Sequence, residues 1–146
     1  TSGVDKQNAL QYFLARARAL HGQSKTYLYH FDHSMPPPPS TPASTGAFHT
    51  ADVPYSLGYF YKPSDPQKLR PWTQTDYDLG NTMSSYWSNF ATTGDPNGAG
   101  LPTWASYDGE LQLQELGDTV QPLASMETAQ ADFWKAYYGQ SSQLGL

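Results

Sequence analysis

Thr26-Tyr27-Leu28-Tyr29-His30-Phe31 is the stretch on which the fold turns. β-Branched and aromatic residues dominate it, and such residues favour strands. In a strand, Tyr27, Tyr29 and Phe31 share one face, while Leu28 and His30 share the other. Neither face is clearly polar. A strand of that kind belongs inside a largely parallel sheet covered on both sides. The fold class is therefore α/β. No second strand follows for many residues, so the partner strands are expected from elsewhere.

Upstream, the spacing of Leu10, Phe13, Leu14, Ala17 and Leu20 predicts an amphipathic helix from about Asp5 to Leu20. Ser2 or Asp5 can cap its start and Gly22 can end it. Its other face carries Lys6, Gln7, Gln11, Arg16 and Arg18. Downstream, the run Pro36 to Pro39 favours an extended polyproline conformation, and the residues to Thr45 have loop composition. Gly46 to Tyr55 reads as a turn leading into a short helical or irregular stretch. Lys62 to Trp72 reads as loop. Leu79, Met83, Tyr86, Trp87 and Phe90 then form one continuous stripe on a helix from Thr75 or Asp76 to Thr93. Gly94-Asp95-Pro96-Asn97-Gly98 stops it. Leu111–Leu116 and Thr119–Leu123 read as two strands joined at Gly117-Asp118, a hairpin. A last helix is expected from Met126 to Tyr138, with Ser125 as cap, Phe133, Trp134 and Tyr137 as packing residues, and Gly139 at its end.

Three apolar-striped helices need a large sheet to cover. The chain supplies one strand fit for a sheet interior and one small hairpin. Residues 1–146 therefore read as part of a domain rather than a complete one. The opening Thr1-Ser2-Gly3-Val4-Asp5 has neither a basic nor an apolar region of a signal peptide, and looks like a point of cutting or trimming.

Composition narrows the function classes. Charged residues make up only 14% and aromatics also 14%, the opposite of a disordered chain. The formal net charge is -5 and Lys and Arg do not cluster, which argues against nucleic acid as a partner. Cysteine is absent, which removes disulfides, thiolate catalysis and Cys-based zinc sites together. The compartment stays open, extracellular or cytoplasmic. No apolar run approaches the roughly 20 residues of a membrane span.

The chemistry centres on the histidines. His21, near the end of the first helix, reads as a surface group favoured there by the helix dipole. His30 reads as a packed, hydrogen-bonded strand residue. His30 and His33 are three apart, point to opposite faces and have no evident third partner, so a zinc site is not expected. His49 follows a glycine-preceded turn, on the kind of loop that carries catalytic groups on a rigid scaffold. Taken alone, a loop histidine is more often structural or exposed than catalytic.

Four ordered motifs change that weight. Gly46-Ala47-Phe48-His49-Thr50-Ala51-Asp52-Val53-Pro54-Tyr55-Ser56-Leu57-Gly58 resembles the catalytic-histidine motif of the type-B carboxylesterases, the cholinesterase-like branch of the α/β-hydrolases. Trp87-Ser88-Asn89-Phe90-Ala91-Thr92-Thr93-Gly94-Asp95-Pro96-Asn97 resembles the family's Trp-x-x-Phe-Ala-x-x-Gly-Asp-Pro-Asn segment. Leu101-Pro102-Thr103-Trp104-Ala105-Ser106-Tyr107 resembles the Leu-Pro-x-Trp-x-x-Tyr that follows it. Tyr27-Leu28-Tyr29-His30-Phe31 is similar to the aromatic strand before the histidine loop. The likeness runs from about Gln11 to Tyr137.

The resemblance implies the C-terminal part of an α/β-hydrolase: an internal strand, the catalytic-histidine loop, packing helices and a small terminal hairpin. It implies that His49 is the general base of a Ser-Asp/Glu-His triad acting on carboxylic esters, with no cofactor and no metal. The chain order of that fold is Ser, acid, His. The nucleophile and acid would therefore lie in an N-terminal portion of the same esterase, the expected partner together with a small-molecule ester. No Gly-x-Ser-x-Gly occurs in the chain; Gly22 to Thr26 and Gly139 to Gln143 each lack the second glycine. The chain alone is expected to be inactive. Asp52, only three residues from His49, reads as a stabiliser of the loop rather than the triad acid. Asp95-Pro96-Asn97-Gly98 reads as a helix stop and turn, and Trp72, Trp87, Trp104 and Trp134 as packing residues. The alternatives are a catalytically inactive binding or adhesion module on the same fold, and an assembly unit whose open strand pairs with another copy by strand exchange.

Overall fold

The computed structural model describes residues 3–41, 43–44, 46–107, 112–124, 132–133 and 136–137. The elements, in order, are α1 (Gly3–His21), β1 (Tyr29–Phe31), α2 (Val53–Ser56), a 3-10 turn (Pro66–Lys68), α3 (Gln74–Thr93), β2 (Gln112–Leu116) and β3 (Val120–Ala124). The chain divides into two units. One comprises residues 1–28, 105–113 and 123–146; the other comprises residues 29–104 and 114–122.

β1 does not wait for a partner outside the chain. It pairs parallel with β2 in the register Tyr29 with Gln114, His30 with Glu115 and Phe31 with Leu116. The Asp32 amide extends the ladder to the Leu116 carbonyl at 3.1 Å. This corrects the expectation from sequence. The partner lies some eighty residues away, and local periodicity carries no signal for pairing at that separation. Parallel neighbours need a long crossover, and here α2 and α3 lie within it. That connection puts the α/β class on structural ground. A second correction concerns the hairpin. β2 and β3 form as expected around Gly117-Asp118-Thr119, but β2 is the middle strand of a three-stranded sheet ordered β1-β2-β3 rather than half of a separate ribbon. Pro122 lies in β3, an outer strand of the described sheet, the kind of strand in which proline is tolerated.

The faces of β1 are less covered than the sequence suggests. Tyr29 is 38% exposed and His30 is exposed, while Phe31 is half-buried. His30 is thus not the packed side chain its strand position implies. Its backbone pairs with Glu115, but its ring faces out.

α3 positions the site. Its start is a reciprocal capping box: the Thr73 side chain accepts from the Asp76 amide, and the Asp76 carboxylate accepts from the Thr73 amide. Its end is Gly94, whose φ of 76° closes the helix in the left-handed region. Leu79, Met83 and Tyr86 of the expected stripe are buried, Trp87 is half-buried, and Phe90 is 48% exposed. Gly80 sits on the same side because the Phe60 ring lies on it; a Cβ there would come within 2.5 Å of that ring. The core of this unit gathers Ala51, Tyr55, Met83, Tyr86 and Leu116, all fully buried.

In the other unit, Phe13 and Ala15 of α1 are buried, and Leu10 and Ala17 are half-buried. Leu14 and Leu20, assigned from spacing to the covered stripe, are more than half exposed. The Tyr107 amide donates to the Thr26 carbonyl at 2.7 Å in an antiparallel bridge. Of the helix expected over Met126 to Tyr138, only Asp132, Phe133, Ala136 and Tyr137 are described, all helical. Ser125, Trp134 and the rest of that helix lie outside the described residues.

Candidate active site

His49 is exposed and sits on a tight turn. The Ala51 amide donates to the Phe48 carbonyl at 2.9 Å, so His49 and Thr50 occupy the two central positions. Thr50 has a φ of 73°. A positive φ at the third turn position is normally a glycine's place. A β-branched residue there is strained, and such strain persists only where the surroundings enforce it. Neither ring nitrogen of His49 has a hydrogen-bond partner among the described residues.

The surroundings hold the turn on its C-terminal side. Ala51, two residues on, is fully buried. Asp52 is the N-cap residue of α2, but its side chain makes no capping bond. Its carboxylate instead accepts a hydrogen bond from the Tyr29 hydroxyl at 2.8 Å, tying the loop to β1. Burial and the neighbouring carboxylate push the Tyr29 hydroxyl well above the usual phenol range, so it stays a donor. Asp52 is thus committed to the loop's anchorage, as the sequence reading had it. The Tyr29 ring packs edge-on against Trp87 and Trp104, with centroids 5.3 and 6.1 Å away.

Behind the loop lies a network that sequence reasoning missed. Asp76 is 1% exposed and its carboxylate gathers four hydrogen bonds. Oδ1 accepts from the Tyr55 hydroxyl at 2.6 Å and from His33 Nε2 at 2.9 Å. Oδ2 accepts from the Thr73 amide at 2.7 Å and the Thr73 hydroxyl at 2.6 Å. Burial alone raises a carboxyl, but the bonds from Thr73, Tyr55 and His33 outweigh it and hold Asp76 below its ordinary range. Tyr55 is pushed far up, first by burial and then by Asp76. The other nitrogen of His33, Nδ1, lies 2.6 Å from Asp118 Oδ1 in the β2–β3 turn. His33 thus bridges the two carboxylates, Asp76 at one ring nitrogen and Asp118 at the other. His30 is exposed, whereas both ring nitrogens of His33 meet carboxylates. The legible signal for the network was the Thr73-x-x-Asp76 spacing of a capping box; its link to His33 and Asp118 spans 43 and 85 residues and has no local trace.

The remaining candidates settle into structural roles. His21 is exposed in the last turn of α1. Asn97 is a clamp: its Nδ2 donates to the Trp104 carbonyl at 2.9 Å and its Oδ1 accepts from the Trp104 amide at 2.7 Å. Asp95 Oδ1 accepts from the Asn97 amide at 3.0 Å, completing the turn after α3. Trp72, Trp87 and Trp104 pack against aromatic rings. Beside the histidine turn, Pro37, Pro38, Thr41, Ala43, Phe48 and Arg70 line a cavity of about 290 Å³. Arg70 fixes its wall by donating to the Pro36 carbonyl at 2.8 Å.

The fold has a counterpart among solved structures. A carboxylesterase from Geobacillus stearothermophilus superposes over 82% of this chain and 24% of its own, with a TM-score of 0.64 and 24% identity. The fold is thus that of an α/β-hydrolase, represented by a part of it. The model of the carboxylesterase family matches residues 7–134. Mouse carboxylesterase 5A is 33% identical over 113 residues, covering 74% of this chain and 19% of that protein. Human cocaine esterase is 30% identical over 128 residues, covering 83% and 21%. The chain belongs to the carboxylesterase family. It spans about a fifth of the length of the curated relatives it matches.

Proposed function

We propose that residues 1–146 are the C-terminal segment of a serine carboxylesterase domain and that His49 is its general base. In this mechanism a serine from the N-terminal portion attacks the ester carbonyl while His49 takes its proton. The tetrahedral intermediate collapses, His49 returns the proton to the departing alcohol, and an acyl-enzyme remains. Water then attacks with the same histidine as base, releasing the acid and restoring the serine. The acid that orients the imidazole comes from the same N-terminal portion, because Asp52 is engaged by Tyr29.

The observation that carries the reading is the exposed imidazole, without a hydrogen-bond partner among the described residues, beside a strained Thr50 on a turn whose C-terminal side is anchored at Asp52 and Tyr55. A surface histidine with no task needs no such anchorage. In the complete polypeptide, His49→Ala is expected to lower kcat on a short-chain p-nitrophenyl ester by at least about a thousandfold, with an unchanged melting temperature. Turnover within tenfold of the parent would remove His49 from the mechanism.

A further inference from the structure

We propose that Asp76 is a positioning residue for His49, acting through the Tyr55 hydroxyl at the far end of the histidine loop. The proposal rests on the reading of His49 as general base and adds the device that aims it. Three observations on one stretch of backbone carry it.

First, Thr50, directly after His49, holds a φ of 73°. A threonine relaxes from that conformation unless its neighbours are held. Second, the chain after Thr50 has little freedom. Ala51 is fully buried, and the single turn of α2, with Pro54 inside it, carries a fully buried Tyr55. Six residues and one helical turn thus link the Tyr55 ring to His49. Third, the Tyr55 hydroxyl is fixed at 2.6 Å from Asp76 Oδ1. Phe31, His33, Phe60 and Trp72 hold its ring with centroid distances of 5.2 to 6.2 Å.

The two oxygens of Asp76 divide their tasks. Oδ2 serves the helix cap through Thr73. That alone is an ordinary capping box, and an exposed aspartate performs it. Oδ1 is turned inward, and takes Tyr55 and His33. The same oxygen therefore ties the histidine loop to the residue two beyond β1. Placing a charged carboxylate at that depth costs stability unless each lone pair is met. Aiming a general base supplies a reason for the arrangement, since a displacement of about 1 Å can cost a hundredfold in rate.

The test uses four variants of the complete polypeptide: His49→Ala, Tyr55→Phe, Asp76→Asn and the double variant Tyr55→Phe/Asp76→Asn. Tyr55→Phe removes one oxygen from a ring held by its packing, so the fold survives even if Asp76→Asn does not. The expected result is a fall in kcat of roughly ten- to a hundredfold for Tyr55→Phe, with KM within about twofold. Where the Asp76 variants fold, the double variant is expected to be no slower than the worse single one, because both remove one shared bond. A Tyr55→Phe enzyme with the parent's kcat, whatever its melting temperature, overturns the positioning role while leaving His49 in place. Losses that multiply in the double variant also overturn it. Activity retained by His49→Ala overturns both readings together.

Discussion

At the scale of single residues, two aspartates at helix starts do different work. Asp52 leaves its capping position empty and turns to Tyr29, whereas Asp76 caps its helix and also reaches inward. Asp76 makes the protein acid-sensitive in a definite direction. Its folded carboxyl titrates below its unfolded value of about 3.9, so the unfolded chain binds more protons between the two. The stability it contributes is complete above the unfolded value and is lost as pH falls through the folded one. Asp76→Asn is expected to flatten the fall of the urea midpoint in acid below about pH 4 relative to the parent. Parallel curves for both proteins would show that Asp76 contributes no such linkage. Asp76→Ala is expected to cost about 2–6 kcal/mol in urea unfolding at neutral pH, because it leaves the Tyr55 hydroxyl and His33 Nε2 without their acceptor in the interior, at about 1–3 kcal/mol each.

At the scale of elements, α3 illustrates how a helix is set by its ends and one missing side chain. Thr73 and Asp76 begin it, Gly94 ends it, and Gly80 lets the tip of the Phe60 ring come up against its backbone. Alanine at position 80 gains about 1 kcal/mol of helix propensity. It also drives a methyl into a ring that packs edge-on against Tyr55, Trp72 and Tyr77. Overpacking of that kind costs about 1–3 kcal/mol. Gly80→Ala is therefore expected to lower the melting temperature by a few degrees, and a rise would show that Phe60 moves aside freely. The turn after α3 was legible in Gly94-Asp95-Pro96-Asn97 because each of those residues acts locally. β1 was legible as a strand for the same reason. Its neighbour β2 was not, since pairing is decided by residues far apart in the chain.

At the scale of the whole molecule, the described sheet has three strands, and β1 forms one of its margins. Tyr59, Tyr61 and Leu57 are each more than 60% exposed, large apolar surfaces on the stretch that follows the histidine loop. Those features and the coverage of about a fifth of the relatives' length agree with the proposed segment of a larger domain. The chain by itself is expected to hydrolyse p-nitrophenyl acetate no faster than the same concentration of free imidazole. It brings a proton acceptor, but neither the serine elbow nor the preorganised oxyanion donors that supply much of such a rate. Saturable turnover stopped by one equivalent of an organophosphate would place a nucleophile inside residues 1–146.

The sequence by itself determined the α/β class and the positions of α3 and the β2–β3 turn, and it singled out His49 as the candidate for the proposed general base. These rest on spacing, capping and breaker residues, which act within a few positions, and on motifs whose order survives in the chain. Only the tertiary structure decided that β1 pairs with β2, that His30 faces out while His33 is buried, and that Asp76 ties His33 to Tyr55 behind the histidine turn. Each of those joins residues 21 to 85 positions apart. Contacts at that range are settled by how buried surface and unmet hydrogen bonds balance across the folded chain, and no local pattern of residue types encodes that balance.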